Sequence, residues 1–463
     1  MKTRTEFDSV GSLEIPVEAY YGVQTLRAKH NFPITGIKMH PAIIKAHAQI
    51  KKAAAITNEK GGHLPANISK AIQEACDEVV QGKLKEEFLV DAIQGGAGTS
   101  ANMNANEVIA NRAIELMGGV KGDYSIVHPN DHVNMAQSTN DVYPSAGKLA
   151  ILALLPNTIS ELKRLEEVLR QKAEEFDDVI KMGRTQLQDA VPIRLGQSFA
   201  AYAKAVERGR MHIEEASKEM LCLNMGATAI GTGINATAYY LENIVEHINE
   251  ETGLSFYMSD DLVDATQHID SFTAVSGSLK RCAVALSKMA NDLRLLSSGP
   301  RTGIGEINLP PMQNGSSIMP GKVNPVIPEV VTQVAFQIIG NDVTITMAAE
   351  AGQMELNAFE PVLFYNMFES IEALGGAVKT FTDNCVSGIT ANKEHCGLLL
   401  EHSVGMVTAL CPYIGYTKAA DLAKKSLKTG VPIRALVLEE GLMTDEESRK
   451  VLNPFKMTYL PTE

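Results

Sequence analysis

The chain has 463 residues, and its apolar (45%) and charged (21%) fractions are those of a globular protein, so disordered, collagen-like and fibrous classes are excluded. At roughly 150 residues per domain, this length predicts about three domains. The 42 basic and 55 acidic residues give a net charge of −13, which argues against extended binding of nucleic acid or of an anionic membrane surface.

The sequence predicts a cytoplasmic location. It contains no uncharged apolar run of the ~18 residues that a membrane-spanning helix needs. Its first residues, MKTRTEFDSVGS, lack the apolar stretch of a secretory signal. The cysteines show neither C-x-x-C nor zinc-binding spacing, which is typical of free thiols in a reducing compartment. They are Cys76, Cys222, Cys282, Cys385, Cys396 and Cys411.

Taken in chain order, the predicted elements are mostly helices. A glycine-rich segment, residues 95–100, interrupts helical sequence in the first third of the chain. Apolar residues recur at helical spacing through residues 159–169. A longer stripe, with alternating steps of four and three, consists of Val275, Leu279, Cys282, Leu286, Met289, Leu293 and Leu296. Residues 326–349 and 360–384 show neither strand alternation nor turn clusters. These patterns predict a mainly α fold with a central bundle of long helices.

Two features divide the chain. Residues 298–325 form a Gly-, Pro- and Asn-rich stretch that is too long for an ordinary connection and is typical of a functional or mobile loop. Near Gly388 the long helical pattern ends and shorter helices follow. We therefore place domain boundaries near 138 and 388. They separate an N-terminal domain (1–137), a central helical-bundle domain (138–388) and a small C-terminal helical domain (389–463).

Several predicted helices are apolar on nearly all sides, for example AVALSKMANDLRLL at 283–296. Such a helix needs burial over most of its surface. A bundle shared between subunits buries it well, which predicts a homo-oligomer. A large monomeric bundle is the alternative.

Two patterns similar to nucleotide-binding motifs are rejected. GTGINA at 231–236 has the G-x-G-x-x-A spacing, but no alternation of strands and helices surrounds it, so we predict a tight turn. GSSIMPGK at 315–322 is similar to a phosphate-binding loop, but it has one residue too many between its glycines. Val323 also stands where a Mg²⁺-binding hydroxyl belongs.

His128 and His132 have the i, i+4 spacing of a metal-binding pair. Pro129 breaks a helix between them, and no third soft ligand stands nearby in the sequence. We interpret both histidines as polar loop residues and predict no metal site.

Four segments combine glycine or hydroxyl residues with amides. We predict each of them just before a helix: 98–100 before Asn102, 137–140 before Pro144, 183–186 before Pro192, and 315–324 before Pro328. Helix N-termini offer unpaired N–H groups and a positive dipole end. Together with the cation of Lys322, such segments suit a small anion with two negative ends. Ordinary helix capping is the alternative for any one of them.

Six stretches of the sequence resemble the aspartase/fumarase superfamily, in the family's order and spacing. They are IPVEAYYGVQT near the start, GGAGTSANMNANEVIANRA, HVNMAQSTND, GRTQLQDAVP, GSSIMPGKVNP, and LNPFKMT near the end. The resemblance covers essentially the whole chain. It implies a mainly α, three-domain fold whose central long-helix bundle assembles into a homotetramer, with each active site built from three subunits.

Within the superfamily, KVNPVIPEVV, AAEAGQMELN and Gln186, where many members carry His, resemble the aspartase branch. This implies an ammonia-lyase that converts L-aspartate reversibly to fumarate and ammonia. HPND at 128–131 resembles instead the secondary dicarboxylate site of fumarases. A class II-type fumarase, which interconverts L-malate and fumarate, is therefore the alternative. A non-catalytic helical oligomer that kept the fold is a third interpretation.

The resemblance also implies roles for individual side chains. The β-carboxylate would be bound by Thr99, Ser138, Thr139 and Ser317, the α-carboxylate by Thr185, Lys322 and Asn324, and the amino group by Asn140 and Gln186. Ser316 would be the base that removes a Cβ proton, which leaves an aci-carboxylate dianion. A neutral serine is a poor base, so Ser316 must act as an alkoxide, with loop N–H groups and Lys322 as candidate donors. No cofactor or metal is predicted, because this chemistry needs no redox carrier.

Overall fold

The structure, a computed structural model, describes residues 2–460. Most of them lie in helices, which confirms the mainly α fold. The helices are α1 (Val23–Asn31), α2 (Pro41–Lys60), α3 (Ala66–Val80), α4 (Thr99–Leu116), α5 (Thr139–Glu175), α6 (Leu195–Ser217), α7 (Ala238–Thr252), α8 (Leu262–Gln267), α9 (Asp270–Leu296), α10 (Val326–Glu350), α11 (Glu360–Asn384), α12 (Lys393–His402), α13 (Cys411–Ile414), α14 (Tyr416–Thr429), α15 (Ile433–Glu439) and α16 (Asp445–Val451).

Short strands form four separate two-stranded pairs. Three pairs are antiparallel: β1 (Thr3–Asp8) with β2 (Gly11–Pro16), β3 (Ile180–Thr185) with β4 (Gln188–Arg194), and β7 (Ile307–Asn308) with β8 (Thr390–Ala391). The fourth pair, β5 (Cys222–Leu223) with β6 (Tyr257–Met258), is parallel. Isolated pairs this short contribute little stability by themselves, so they serve to fix the ends of loops.

The chain folds into two compact units, each made of three stretches of sequence. The first unit contains the residues up to 159, 211–281 and 336–374, and the second contains 160–210, 282–335 and the residues from 375 onward. The boundaries between units fall inside long helices, because α5, α6, α9, α10 and α11 each contribute residues to both.

The long helices occur where the apolar spacing predicts them. Along α9, the stripe residues Val275, Leu279, Cys282, Leu286, Met289 and Leu293 are all buried, and Leu296 is partly buried. The two stretches predicted at 326–349 and 360–384 are α10 and α11. Between α9 and α10 lies the predicted long loop, which contains β7 as its regular element.

The prediction that a helix begins at Pro144 is wrong. Helix α5 begins at Thr139, and Pro144 lies inside it. A proline there removes the N–H that would bond to the carbonyl of Asn140. The side chain of Asn224 replaces it, because its Nδ2 donates to Asn140 O at 3.1 Å. A contact between residues far apart in sequence thus allows the helix to start early.

The prediction that residues 183–186 precede a helix is also wrong. Pro192 lies in β4, and the next helix, α6, starts only at Leu195. Gln186 and Leu187 form a two-residue hairpin loop with φ of 54° and 63°. Positive φ at both loop positions matches the twist of a hairpin, but Asn-Gly or Asp-Gly is the usual sequence for it. A Gln-Leu pair gives no such signal.

The predicted turn at GTGINA is confirmed. Gly231, Gly233 and Asn235 all have positive φ, and Gly231 N and Gly233 N both donate to the carbonyl of Ala227. This segment therefore makes a tight local turn.

After α11 the chain forms short helices around a small apolar cluster of Leu410, Leu422, Ile433, Leu436, Val437 and Leu452. Within residues 2–460 no single helix is long and apolar enough to cross a membrane. A bent pair, Lys393–His402 with Val404–Ile414, meets that requirement by length and composition alone.

Candidate active site

The first predicted site segment forms the N-terminus of α4. Gly98, the residue before the helix, has φ 88°, and a Cβ on it would lie 2.4 Å from the ring of Tyr143, so only glycine fits. Thr99 is the first helical residue and is exposed. Gln94 Oε1 accepts the N–H of Ala101 at 2.8 Å, which satisfies part of the first turn.

The second segment forms the N-terminus of α5. Ser138 Oγ accepts the N–H of Asn140 at 3.2 Å, so Ser138 caps the helix. Asn140 is held by its own side chain, whose Nδ2 donates to Ala229 O at 2.7 Å. Thr139 is buried, while Ser138 and Asn140 are partly exposed.

Asp141 holds this helix start in place. Its carboxylate accepts the N–H groups of Ser138 (2.9 Å), Gly226 (3.0 Å) and Thr228 (3.1 Å). Burial raises the pKa of Asp141 to about 7, although these three donors favour the charged form. The 226–228 turn and the start of α5 are therefore fixed to each other by one carboxylate.

A single amide connects the two helix starts. Asn102 Nδ2, in the first turn of α4, donates to Thr139 Oγ1, at the start of α5, over 3.2 Å. The first unit thus brings two of the four predicted segments together. Thr99, Ser138, Thr139 and Asn140 lie at two helix N-termini, where positive dipole ends and neutral donors favour a bound carboxylate.

The third segment is the tip of the β3–β4 hairpin in the second unit. Thr185 ends β3, Gln186 lies in the two-residue loop, and both are exposed. An anchor below the tip fixes the hairpin. Arg184 donates to Glu306 Oε1 at 2.8 Å, and Lys181 Nζ lies 3.0 Å from Glu306 Oε2.

Glu306 connects this hairpin to the fourth segment. It is 0% exposed and directly precedes β7, at the start of the chain that leads to Ser316. Asn392 N donates to its carbonyl at 2.9 Å, next to the β7–β8 pair. In the second unit, the buried carboxylate of Glu306 therefore connects the Thr185 hairpin to the start of the loop that contains Ser316.

The serine loop closes on itself around Ser316. Gly315 N donates to Lys322 O, and Asn324 Nδ2 donates to Gly315 O, both at 2.7 Å. A Cβ at Gly315 would lie 2.5 Å from Lys322 O, so this neck of the loop requires glycine. Ser317 and Lys322 are exposed on the loop, while Ser316 is half-buried.

Ser316 lies where backbone donors converge. Its Oγ accepts the N–H of Ile318 at 3.2 Å and the N–H of Met319 at 3.0 Å. Hydrogen bonds to a hydroxyl oxygen favour its deprotonated form. The loop N–H groups that we predicted as candidate donors therefore form hydrogen bonds to Ser316 Oγ.

Three residues that organise the site were missed in the sequence: Asn102, Asp141 and Glu306. Weak signals for two of them existed. Glu306 is the only charged residue in GIGEINLPPM, and an isolated acid in such a stretch is often paired when buried. Asn102 belongs to an NMNAN run inside a helix, where asparagine is an unfavourable residue. Asp141 carries no comparable signal.

His128 and His132 act in local capping. His128 Nδ1 accepts the N–H groups of Asn130 (3.2 Å) and Asp131 (3.1 Å), and His132 Nδ1 accepts the N–H of His128 at 2.9 Å. His128 precedes the π-helical turn Pro129–Val133 and His132 lies inside it, so the interpretation as a loop residue holds for His128 and is wrong for His132. Within residues 2–460, no group of three or more His, Cys, Asp or Glu side chains is arranged to hold a metal ion.

Comparison with known proteins gives consistent matches. Residues 11–340 match the family described as lyase, and residues 406–459 match the family described as fumarase C C-terminus. The chain is 53% identical over 456 residues to the aspartate ammonia-lyase of a Bacillus species, covering 98% of this chain and 97% of the relative. It is 52% identical over 455 residues to the aspartate ammonia-lyase of Bacillus subtilis strain 168, covering 98% and 96%.

Solved structures agree with these matches. A fumarate lyase:delta crystallin from Brucella melitensis, bound to cobalt, is 49% identical with a TM-score of 0.96, covering 99% of this chain and 100% of that one. A class II fumarase from Schistosoma mansoni is 36% identical with a TM-score of 0.96, covering 99% of each chain.

Proposed function

We propose, because this chain belongs to the lyase family that includes the aspartate ammonia-lyases, that it removes ammonia from L-aspartate to form fumarate, reversibly. It is a carbon–nitrogen lyase. The observation that carries this function is the Ser316 hydroxyl with two backbone N–H donors on its oxygen, in a loop closed by Gly315 and Asn324.

The difficult step is removal of a Cβ proton next to a carboxylate. Ser316, as the alkoxide, takes that proton, and the electron pair of the C–H bond moves into the β-carboxylate, which becomes an aci-carboxylate dianion. The pair then forms the Cα=Cβ bond while the C–N bond breaks. The substrate's ammonium group leaves as ammonia with the electrons of that bond.

Neutral donors are assigned to the carboxylate that gains charge. Thr99, Ser138, Thr139 and Ser317 bind the β-carboxylate, and the α4 and α5 N-termini support this assignment by their dipoles. Donors aimed at developing charge stabilise the transition state more than the ground state, and each is typically worth ~10²–10³ in kcat.

The remaining contacts fix the other end of the substrate. Thr185, Lys322 and Asn324 bind the α-carboxylate, and Asn140 and Gln186 contact the amino group. The assignment of Gln186 is supported by its position in the hairpin loop at positive φ, since non-glycine residues with positive φ concentrate at functional sites. Lys322 is exposed on a loop with Gly321 at φ 81°, which suits a segment that closes over substrate.

We also infer a homotetramer in which three subunits contribute to each site. Exposed apolar residues on α10, namely Phe336 (65%), Val343 (55%) and Met347 (66%), are spaced seven and four residues apart. This forms a stripe that another helix would cover. We also propose domain boundaries near 138 and 388. The six free thiols support a cytoplasmic location.

Two parallel assays test the function. Ultraviolet absorbance of fumarate is followed with L-aspartate and, separately, with L-malate as substrate. We expect fumarate from aspartate at a rate far above that from malate.

A class II-type fumarase is the second candidate, because HPND at 128–131 resembles the secondary dicarboxylate site of fumarases and a class II fumarase shares the fold at 36% identity. Turnover of malate alone would select it and exclude the ammonia-lyase.

A further inference from the structure

A buried lysine lies behind the proposed β-carboxylate site and has no part in the reaction above. Lys51, on α2, is 0% exposed. Its Nζ donates to Asn134 Oδ1 at 2.8 Å and to Gln137 Oε1 at 3.0 Å. Both acceptors are neutral amides. A buried ammonium whose hydrogen bonds go to amides and not to a carboxylate has a desolvation cost that these partners offset only in part, so packing alone does not explain it.

One amide oxygen collects the donors around this lysine. Asn134 Oδ1 accepts from Lys51 Nζ and also from Asn102 Nδ2 (3.1 Å) and Asn106 Nδ2 (3.2 Å). Asn134 Nδ2 in turn donates to the carbonyl of Gln137 at 3.2 Å. Three donors on one oxygen fix the orientation of the Asn134 amide.

From this amide the network reaches a proposed substrate contact in two steps. Asn102 Nδ2, which donates to Asn134 Oδ1, also donates to Thr139 Oγ1 at 3.2 Å. Because a hydroxyl rotates about its C–O bond, a fixed donor on its oxygen decides where its own proton points. Lys51 therefore acts on the direction of the Thr139 hydroxyl through two asparagines.

The same lysine fixes the loop that leads into α5. Gln137 Oε1 accepts from Lys51, while Gln137 Nε2 donates to the carbonyls of Val133 (3.0 Å) and Met135 (3.2 Å). Ala136, between Met135 and Gln137, has φ 60°, a strained value for a residue with a side chain. The Gln137 side chain holds this strained turn directly before Ser138.

We propose that Lys51 is a positioning residue: it orders the Asn134 and Gln137 side chains and thereby aims the Ser138 and Thr139 hydroxyls at the substrate carboxylate that becomes a dianion. The inference rests on the proposed function, because it assumes that this carboxylate lies at the α5 N-terminus. Donors aimed at developing charge matter most in the transition state. Loss of Lys51 should therefore lower kcat more than it raises KM.

The charges around Lys51 are consistent with this role. Burial lowers the pKa of Lys51 to about 7, and the nearby carboxylate of Asp141, in the first turn of α5, opposes that shift. His47, one turn earlier on α2, is buried and its pKa is lowered to about 4 by that burial, so it is neutral. Lys51 and Asp141 are thus a buried base and a buried acid next to the Ser138 segment, and burial moves the pKa of each toward 7.

The test is Lys51→Met, which removes the ammonium and keeps the side chain's volume. The matched control is Lys52→Met at the next position, where the lysine lies 2.7 Å from Asp77 and 2.9 Å from Glu251. kcat, KM for L-aspartate and Tm are measured for both. We expect kcat of Lys51→Met to fall about 10- to 100-fold with KM changed less than about threefold. We also expect only a modest fall in its Tm, because Asn134 Oδ1 keeps its donors Asn102 and Asn106 while Gln137 Oε1 loses Lys51. The control should keep its kcat.

Two outcomes would overturn the proposal. Unchanged kcat in Lys51→Met would remove the positioning role. A large fall in Tm that accompanies the activity loss would assign Lys51 a structural role. Aspartate turnover by the unaltered enzyme is measured first, so failure of the proposed function is recognised separately.

Asn134→Ala keeps the proposal testable if Lys51→Met does not fold. It breaks the path between Lys51 and Asn102, so it should lower kcat in the same way. Where both single variants fold, their losses should not multiply in the double variant. Unchanged kcat in Asn134→Ala, or losses that multiply, would contradict the proposal.

Discussion

At the scale of the residue, the contacts of Ser316 support its proposed use as a base. Its oxygen accepts two backbone N–H groups that the loop positions in advance, so no rearrangement is needed when the alkoxide forms. Ser298, in the same long loop, also accepts an N–H, from Ile304 at 3.0 Å, but it lies outside the proposed site. The two serines share a local role and differ in the chemistry assigned to them.

Ser316→Ala is therefore expected to lower kcat for aspartate by about 10²–10⁴-fold, the usual contribution of a general base. The oligomeric state should not change. Ser298→Ala is the control, since it also removes an accepted loop hydrogen bond. Steady-state assays with size-exclusion chromatography measure both properties. Near-normal turnover of Ser316→Ala would remove this serine from the base role.

Glu360 offers a prediction for pH. It is 5% exposed at the start of α11, and burial raises its pKa from 4.5 to about 8. The helix N-terminus favours the charged form by only about 0.3–1 kcal/mol, so burial outweighs it. Because the folded-state pKa lies above the unfolded one, the folded protein binds this proton more tightly. Its contribution to stability is fully present below about pH 4.5 and is lost as the pH rises to about 8.

Glu360→Gln should remove that loss, because glutamine does not ionise. Thermal unfolding of both proteins between about pH 5 and pH 9 measures the difference in Tm. We expect the variant to gain Tm relative to the parent as the pH rises through this range. A difference that is independent of pH would show that folding does not change the pKa of Glu360 within this range.

At the scale of the element, two tertiary anchors hold otherwise weak pieces of structure. The β3–β4 hairpin and the β7–β8 pair are short, and their alignment depends on Glu306 with its partners Lys181 and Arg184. A carboxylate with 0% exposure is tolerated there because two cations and their hydrogen bonds compensate its desolvation. The hairpin that carries Thr185 is thereby fixed to the base of the serine loop.

Glu306→Gln leaves Lys181 and Arg184 without their charged partner, which typically costs about 3–5 kcal/mol for a buried pair. We expect a marked fall in Tm and, since the Thr185 hairpin loses its anchor, a higher KM for aspartate. Glu329→Gln is the control. Its partner, Arg294, lies 3.8 Å away and both side chains are substantially exposed, so its loss costs at most about 1 kcal/mol. Equal Tm values for the two variants would contradict this account.

At the scale of the whole molecule, the exposed stripe on α10 supports the proposed homotetramer. Phe336, Val343 and Met347 expose more than half of their surface on one long helix. A single exposed apolar residue needs no explanation, but a row at heptad-like spacing is typical of a helix covered in an assembly. If three subunits share each site, assembly and activity must be lost together.

If the proposed tetramer forms through this stripe, Phe336→Asp should shift it to smaller species and abolish aspartate turnover, because a charge replaces the apolar side chain. Val120→Asp is the control, since Val120 is also an exposed apolar residue (78%) but does not belong to the stripe. Sedimentation velocity and activity assays measure the outcome. An active monomer would refute shared sites.

The sequence by itself determined the helices and the long loop, and its family resemblance led to Ser316 as the proposed base. The apolar stripe on α9 predicted its helix, because apolar residues that recur at alternating steps of three and four positions lie on one helix face, whatever the neighbours are. The loop at 315–324 was recognisable because its glycines, serines and lysine have no role in ordinary packing. Local propensity and local chemistry are properties of adjacent residues, which a sequence displays.

Only the tertiary structure decided what holds the site in place. The early start of α5 depends on Asn224, the hairpin on Glu306, and the Ser138 segment on Lys51, each of which is far in sequence from the group it bonds. A polar residue gains such a role only when burial removes its water and a distant donor or acceptor replaces it. The spacing of residues along the chain does not show which distant partner replaces the water, so these contacts are seen only in the folded structure.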